Sequence, residues 1–257
     1  AIALGPNNWE PYLDLSLLQI RASQPDAAEV NFKKAVEINP HAIQAQLALA
    51  GYYQSRGRFP EAEQQLRRAM DLDQKNPDPP AALARLFIAQ GKKADAEAFL
   101  KQVKTKFPDN SVGYRMLGDF YFATGDLDKA VAEYASVFHD HPKDTQVEKN
   151  YIQLLILKNR LDDASKLTDA MLASNSGDTD ALVYRGQIQL RKGQAADAVQ
   201  TLQNVLKNDP DNGVAHYHLG LALDQSGNSE RAIEELRKAV RLRPDMIEAQ
   251  RALAMAA

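Results

Sequence analysis

Small and apolar residues fall on a strict grid along this chain. Ala28, Ala62, Ala96, Ala130, Ala164, Ala198 and Ala232 are each 34 positions apart, with no insertion or deletion between them. Four positions after each alanine stand Phe32, Leu66, Leu100, Tyr134, Thr168, Leu202 and Leu236. Three further on stand Ala35, Ala69, Val103, Val137, Met171, Val205 and Ala239. This i, i+4, i+7 spacing lines one face of a helix. A period of this length is one helix-turn-helix element used repeatedly. No segment alternates with period two for long enough to predict a sheet.

With Trp9 as slot 1, repeats start at positions 9, 43, 77, 111, 145, 179 and 213, and the alanines occupy slot 20. Slot 8 holds Ser16, Ala50, Ala84, Gly118, Ile152, Gly186 and Gly220, small in all but one repeat. Small residues at slots 8 and 20 predict a close crossing of two helices, where a larger side chain would overpack at about 1–3 kcal/mol. Slot 15 holds Ser23, Gly57, Gly91, Gly125, Asn159, Gly193 and Gly227. That set fits a residue of positive φ ending a first helix. Pro40, Pro108, Pro142, Pro210 and Pro244 then stop a second helix. The pattern predicts a first helix near slots 2–14 and a second near slots 17–30 of every repeat.

The pattern resembles the tetratricopeptide repeat over essentially the whole chain. The best copy runs Tyr114, Leu117, Gly118, Tyr121, Gly125, Ala130, Tyr134, Pro142, and His216, Leu219, Gly220, Gly227, Ala232, Leu236, Ala239, Pro244 is nearly as good. The resemblance implies an all-α, right-handed superhelical solenoid of antiparallel helix pairs. Its concave groove, lined mainly by first helices, would bind peptides or proteins.

The register divides the chain into a tail of a preceding repeat (1–8), seven repeats (9–246) and the first helix of a truncated eighth (247–257). Ala1 to Pro6 fits the end of a second helix, and the run from Ile247 fits only a first helix. Both ends read as cuts from a longer array, or as unusual natural caps. An apolar end carrying Met246, Leu253 and Met255 would favour end-to-end stacking of copies, since such arrays need polar caps.

Composition narrows the function. The net charge of −3 argues against a phosphate-binding surface and hence nucleic acid. No apolar run is long enough to span a membrane. Without cysteine, disulfides and thiolate metal sites are excluded; the compartment stays open between cytoplasm and periplasm. His139/His141 and His216/His218 are spaced i, i+2, so on a helix they do not share a face. They read as packed or solvated histidines rather than metal ligands. No phosphate loop or zinc-protease motif is present, so no catalytic residue, cofactor or metal is expected.

In the family, slots 2, 5, 9, 12 and 13 tend to face the groove. Here they offer a mixed surface, with a candidate peptide-binding stretch at Arg85, Ile88, Arg115, Asp119, Phe122, Lys149, Gln153 and Ile156. Arg85, Arg115 and Lys149 come from consecutive repeats, and arginine holds a carboxylate by paired hydrogen bonds. Alternatively, Arg115 and Asp119, four residues apart, pair with each other on the surface. Two specialised family sites find no match: the basic and asparagine set for chaperone C-termini, and the slot-6 asparagine ladder of sugar-transferring enzymes, of which only Asn150 stands here. The repeat from Thr145 to Asp178 departs most from the pattern, at Ile152, Asn159, Thr168 and Ser176. It reads as drift at tolerant positions or as a softer joint. The whole reads as a non-catalytic protein-interaction scaffold, in a style resembling bacterial envelope or secretion-assembly proteins. The alternatives are a substrate-recruiting arm of an enzyme whose catalytic domain lies outside this segment, and a spacer.

Overall fold

The structure, a computed structural model, describes residues 7–256. The expected helix tail at Ala1 to Pro6 lies outside the described residues. Among those residues every regular element is an α-helix. The first helices are α1 (Glu10–Arg21), α3 (Ile43–Ser55), α5 (Asp78–Ala89), α7 (Ser111–Ala123), α9 (Thr145–Leu157), α11 (Thr179–Arg191), α13 (Gly213–Gln225) and α15 (Ile247–Ala256). Between them run the second helices α2 (Pro25–Ile38), α4 (Phe59–Leu72), α6 (Lys93–Lys106), α8 (Leu127–Asp140), α10 (Leu161–Ser174), α12 (Ala195–Asn208) and α14 (Ser229–Leu242). The fold is an all-α solenoid of helix pairs. It forms two compact units, one through Thr124 with α1–α7 and one from Gly125 with α8–α15. Within each unit a helix packs on those before and after it. Neighbouring first helices also touch, α3 on α5 in the first unit and α9 on α11, α11 on α13 and α13 on α15 in the second.

The turn inside each repeat has a common cause. Ser23, Gly57, Gly91, Gly125, Asn159, Gly193 and Gly227 all adopt positive φ, from 57° to 82°. The chain then folds back so that an amide beyond the turn reaches a carbonyl of the last helical turn. Gln24 donates to Gln19 O at 2.8 Å, Arg58 to Tyr53 O at 2.9 Å and Asn228 to Leu223 O at 2.8 Å. This is the closure that a left-handed residue after a helix permits. First helices open on short polar caps: Asn110, Asp144, Asp178 and Asn212 each accept backbone N–H bonds from the following turn.

The slot-20 alanines are all 0% exposed. An added Cβ at Gly186 would lie 2.7 Å from Leu202 Cγ, and one at Gly220 would lie 2.7 Å from Leu236 Cγ and 3.2 Å from Ala232 O. The small slot 8 therefore makes room first for the large side chain of slot 24 and only then for the slot-20 backbone. This explains the departing repeat. Where slot 8 is Ile152, slot 24 is Thr168, and both are buried. Large and small have exchanged places across one helix pair.

A second regularity joins repeats in three places. Slot 4 carries a donor that reaches the carbonyl of the proline ending the preceding repeat: Gln46 Nε2 to Pro40 O at 3.0 Å, His216 Nε2 to Pro210 O at 2.9 Å, and Gln250 Nε2 to Pro244 O at 2.7 Å. Each bond satisfies a carbonyl that proline geometry leaves outside the helix ladder.

Candidate functional site

The eight candidate residues fall in both compact units. Arg85 and Ile88 stand on α5, and Arg115, Asp119 and Phe122 on α7, all in the first unit. Arg85 and Ile88 are one turn apart. Arg115, Asp119 and Phe122, spaced i, i+4, i+7, share one face of α7. Helix α6 packs against both α5 and α7. Arg85 is exposed and makes no ion pair among the described residues. Arg115 is half-buried and donates from Nε to Ser111 O at 2.9 Å. Phe122 is 53% exposed and Ile88 39%. The first unit thus presents two guanidinium groups and two apolar side chains from two first helices.

Lys149, Gln153 and Ile156 stand on α9 in the second unit. Lys149 Nζ lies 2.5 Å from the Asp180 carboxylate on α11. That bond holds its ammonium above the ordinary lysine range, so its charge is already answered. Ile156 is only 4% exposed and belongs to the core. Its slot is exposed in α5 and α7 at Ile88 and Phe122, so slot alone does not decide exposure. Gln153 is exposed and borders a recess of about 370 Å3 with Asp180, Val183, Tyr184 and Gln187. Burial, with Asp180 and Asp178 nearby, pushes the Tyr184 hydroxyl well above the ordinary tyrosine range.

The histidines have separate environments. His216 is buried, with Nε2 on Pro210 O and Nδ1 2.5 Å from the Glu235 carboxylate, so both ring nitrogens are engaged. Among the described residues no group of three or more His, Asp or Glu side chains is placed to hold a metal ion. His218 is half-buried beside Tyr217, ring centroids 4.8 Å apart, and its Nδ1 has no protein partner. Desolvation, then the Arg191 charge, pushes its pKa from 6.5 down to about 4. Between those pH values the unfolded imidazole holds a proton that the folded one lacks. Stability therefore falls as pH drops from 6.5 towards 4, by about 1–3 kcal/mol from this group. Urea titrations across that window, compared with His218→Phe, will show the wild-type protein losing more stability on acidification. Parallel profiles would remove His218 as the cause.

Sequence reasoning missed the Lys149–Asp180 pair, because its partners are 31 residues apart on neighbouring first helices. It also missed the slot-4 bonds to prolyl carbonyls. The recurrence of Gln46, His216 and Gln250 six residues after a proline was the available signal.

Comparison with known proteins places this fold. Two family models, both described as tetratricopeptide repeat, match residues 185–247 and residues 19–75, 54–120 and 121–184. Human DnaJ homolog subfamily C member 3 is 23% identical over 222 residues, covering 79% of this chain and 43% of that protein. The CTR9 homolog of Arabidopsis thaliana is 26% identical over 229 residues, covering 83% of this chain and 20% of that protein. The chain thus spans less than half the length of these relatives. Among solved structures, a tetratricopeptide repeat protein from Parabacteroides merdae superposes with a TM-score of 0.64 at 15% identity, covering 96% of this chain and 98% of that one. Yeast Tom70 gives 0.64 at 20% identity, covering 96% and 53%. No helix of the described residues is long and apolar enough to cross a membrane. The chain belongs to the tetratricopeptide repeat family, whose repeats generally mediate protein–protein interaction and whose fold is typically a non-catalytic scaffold.

Proposed function

We propose that this chain is a scaffold that binds an extended peptide or a helix of a protein partner along its first helices, centred on α5 and α7. One observation carries the reading. Exposed large apolar side chains concentrate in slots 2, 9, 12 and 13 of first helices: Leu17, Ile20, Ile88, Val112, Phe122 and Leu157. Ile20, Ile88 and Phe122 share slot 12 in three repeats of one compact unit. Apolar residues repeated in register along one exposed face are the kind of surface that marks a protein-interaction site. Contact between neighbouring first helices supports the same face as the inner one of each unit. Arg85 stands one turn from Ile88 and Arg115 two turns from Phe122 on the same helix, so a partner carboxylate next to an apolar side chain would suit either helix.

The test is affinity capture from the source cells with the wild-type chain and an Arg85→Glu, Arg115→Glu, Phe122→Ala variant that keeps a native helical melt. A partner held by the first and lost by the second is the expected result. For an isolated partner, Phe122→Ala alone will weaken binding by about 2 kcal/mol, as for an aromatic anchor at an interface. Equal capture by both proteins would move the interface off this face.

A further inference from the structure

We propose that the second helices of the second unit carry a separate docking site for an acidic peptide segment, in the recess between α12 and α14. The recess is a shallow, open depression of about 580 Å3, suited to an extended segment laid across it. Four cations line it: Lys207 from α12, and Arg231, Lys238 and Arg241 from α14. Its one carboxylate, Glu235, is already engaged, by Lys238 at 2.8 Å and by the His216 ring. Lys207, Arg231 and Arg241 are exposed and make no ion pair among the described residues. The lining therefore holds four positive charges against one negative, in a chain whose net charge is −3.

The repeat supplies its own control. The corresponding recess between α4 and α6 lies in the other compact unit. Its charged lining is Asp71, Asp73 and Lys106; Asp71 and Gln102 stand where Lys207 and Lys238 do, and the equivalents of Arg231 and Arg241 are Asp95 and Thr105, which do not line it. The recess of the first unit holds one cation against two carboxylates, whereas that between α12 and α14 holds four against one. Leu206 and Leu219 give the lining an apolar stretch, and His216, fixed between Pro210 O and Glu235, is part of it. An apolar side chain flanked by carboxylates matches that arrangement, with arginine offering two parallel hydrogen bonds to each acid.

The probe is a fluorescein-labelled glutamate-rich peptide with a central leucine, followed by fluorescence anisotropy on the whole chain. Binding is expected, weakening as salt rises. A Lys207→Glu, Arg231→Glu, Arg241→Glu variant will bind about tenfold or more weakly, and the groove variant Arg85→Glu, Arg115→Glu will bind like wild type. That second variant separates this site from the first-helix face. If charge reversal disturbs the helical melt, Lys207→Gln, Arg231→Gln, Arg241→Gln replaces it, with a smaller loss in the same direction. No binding of the probe, or equal binding by the variants, would overturn the proposal. A single-stranded DNA oligomer of equal charge binding as tightly would overturn it in favour of general polyanion attraction.

Discussion

Ile152→Ala will destabilise the protein by about 2–5 kcal/mol, the usual cost of emptying a fully buried isoleucine site. Adding Thr168→Leu will return at least half of the loss. The reason lies in the two slots involved. In the following repeats Gly186 and Gly220 leave room for Leu202 and Leu236, whose Cγ atoms approach within 2.7 Å of where a Cβ would stand. Elsewhere the same slots hold Ala50 with Leu66 and Ala84 with Leu100. The double variant recreates that pairing. Leucine at position 168 will accordingly help more when position 152 is alanine than when it is isoleucine. The difference is a coupling of about 0.5–3 kcal/mol, as expected for residues sharing one space. Urea unfolding of the four proteins measures it. Strict additivity would show that the two side chains do not fill a common volume.

The second large effect is expected at Gly113. An alanine Cβ there would lie 2.2 Å from Phe107 Cβ and 2.7 Å from Phe107 Cγ. Phe107 is rooted in the turn before α7, so the clash cannot be relieved by swinging a side-chain tip. Gly113→Ala will destabilise by about 1–3 kcal/mol through overpacking. Equivalent turns carry Asn39, Asp73, His141, Asn175, Asp209 and Arg243 where Phe107 stands, and a residue with a Cβ where Gly113 stands. Phe107 is buried, whereas those residues are exposed or half-buried. The turn closes onto Gly113 because an aromatic ring is tucked beneath it. Combined with Phe107→Gly, which removes both clashing atoms, Gly113→Ala will therefore cost less than it does alone. Native stability in the single variant would refute this account.

The repetition made most of the fold legible. Slot 15 told where each first helix turns, including at Ser23 and Asn159, which adopt positive φ without being glycine. The bounds of the second helices followed from the spacing of slot 20 and the prolines. What the period hid were exchanges that preserve the structure while breaking the pattern. Ile152 and Thr168 each look like loss of the motif when read along the chain; across the helix pair they are one conserved volume. The candidate site was legible only in part. Slots identify which helix face a residue occupies, and Ile88 and Phe122 are exposed on theirs. They do not reveal how far that face is covered, and Ile156 is buried where Ile88 and Phe122 are exposed, nor which charges meet between helices, as Lys149 meets Asp180. Those are properties of pairs of repeats, and the period describes single ones.

Because within each unit a helix packs on its sequence neighbours, and several first helices also touch the next first helix, most native contacts there close a short loop of chain. Low contact order of this kind places folding on the order of microseconds to milliseconds. It also removes the need for any one region to act as the nucleus, since a helix pair formed anywhere can template the next. Partly folded chains then become ordinary species rather than misfolded ones. A growing chain can begin assembling its array once a few adjacent repeats have left the ribosome.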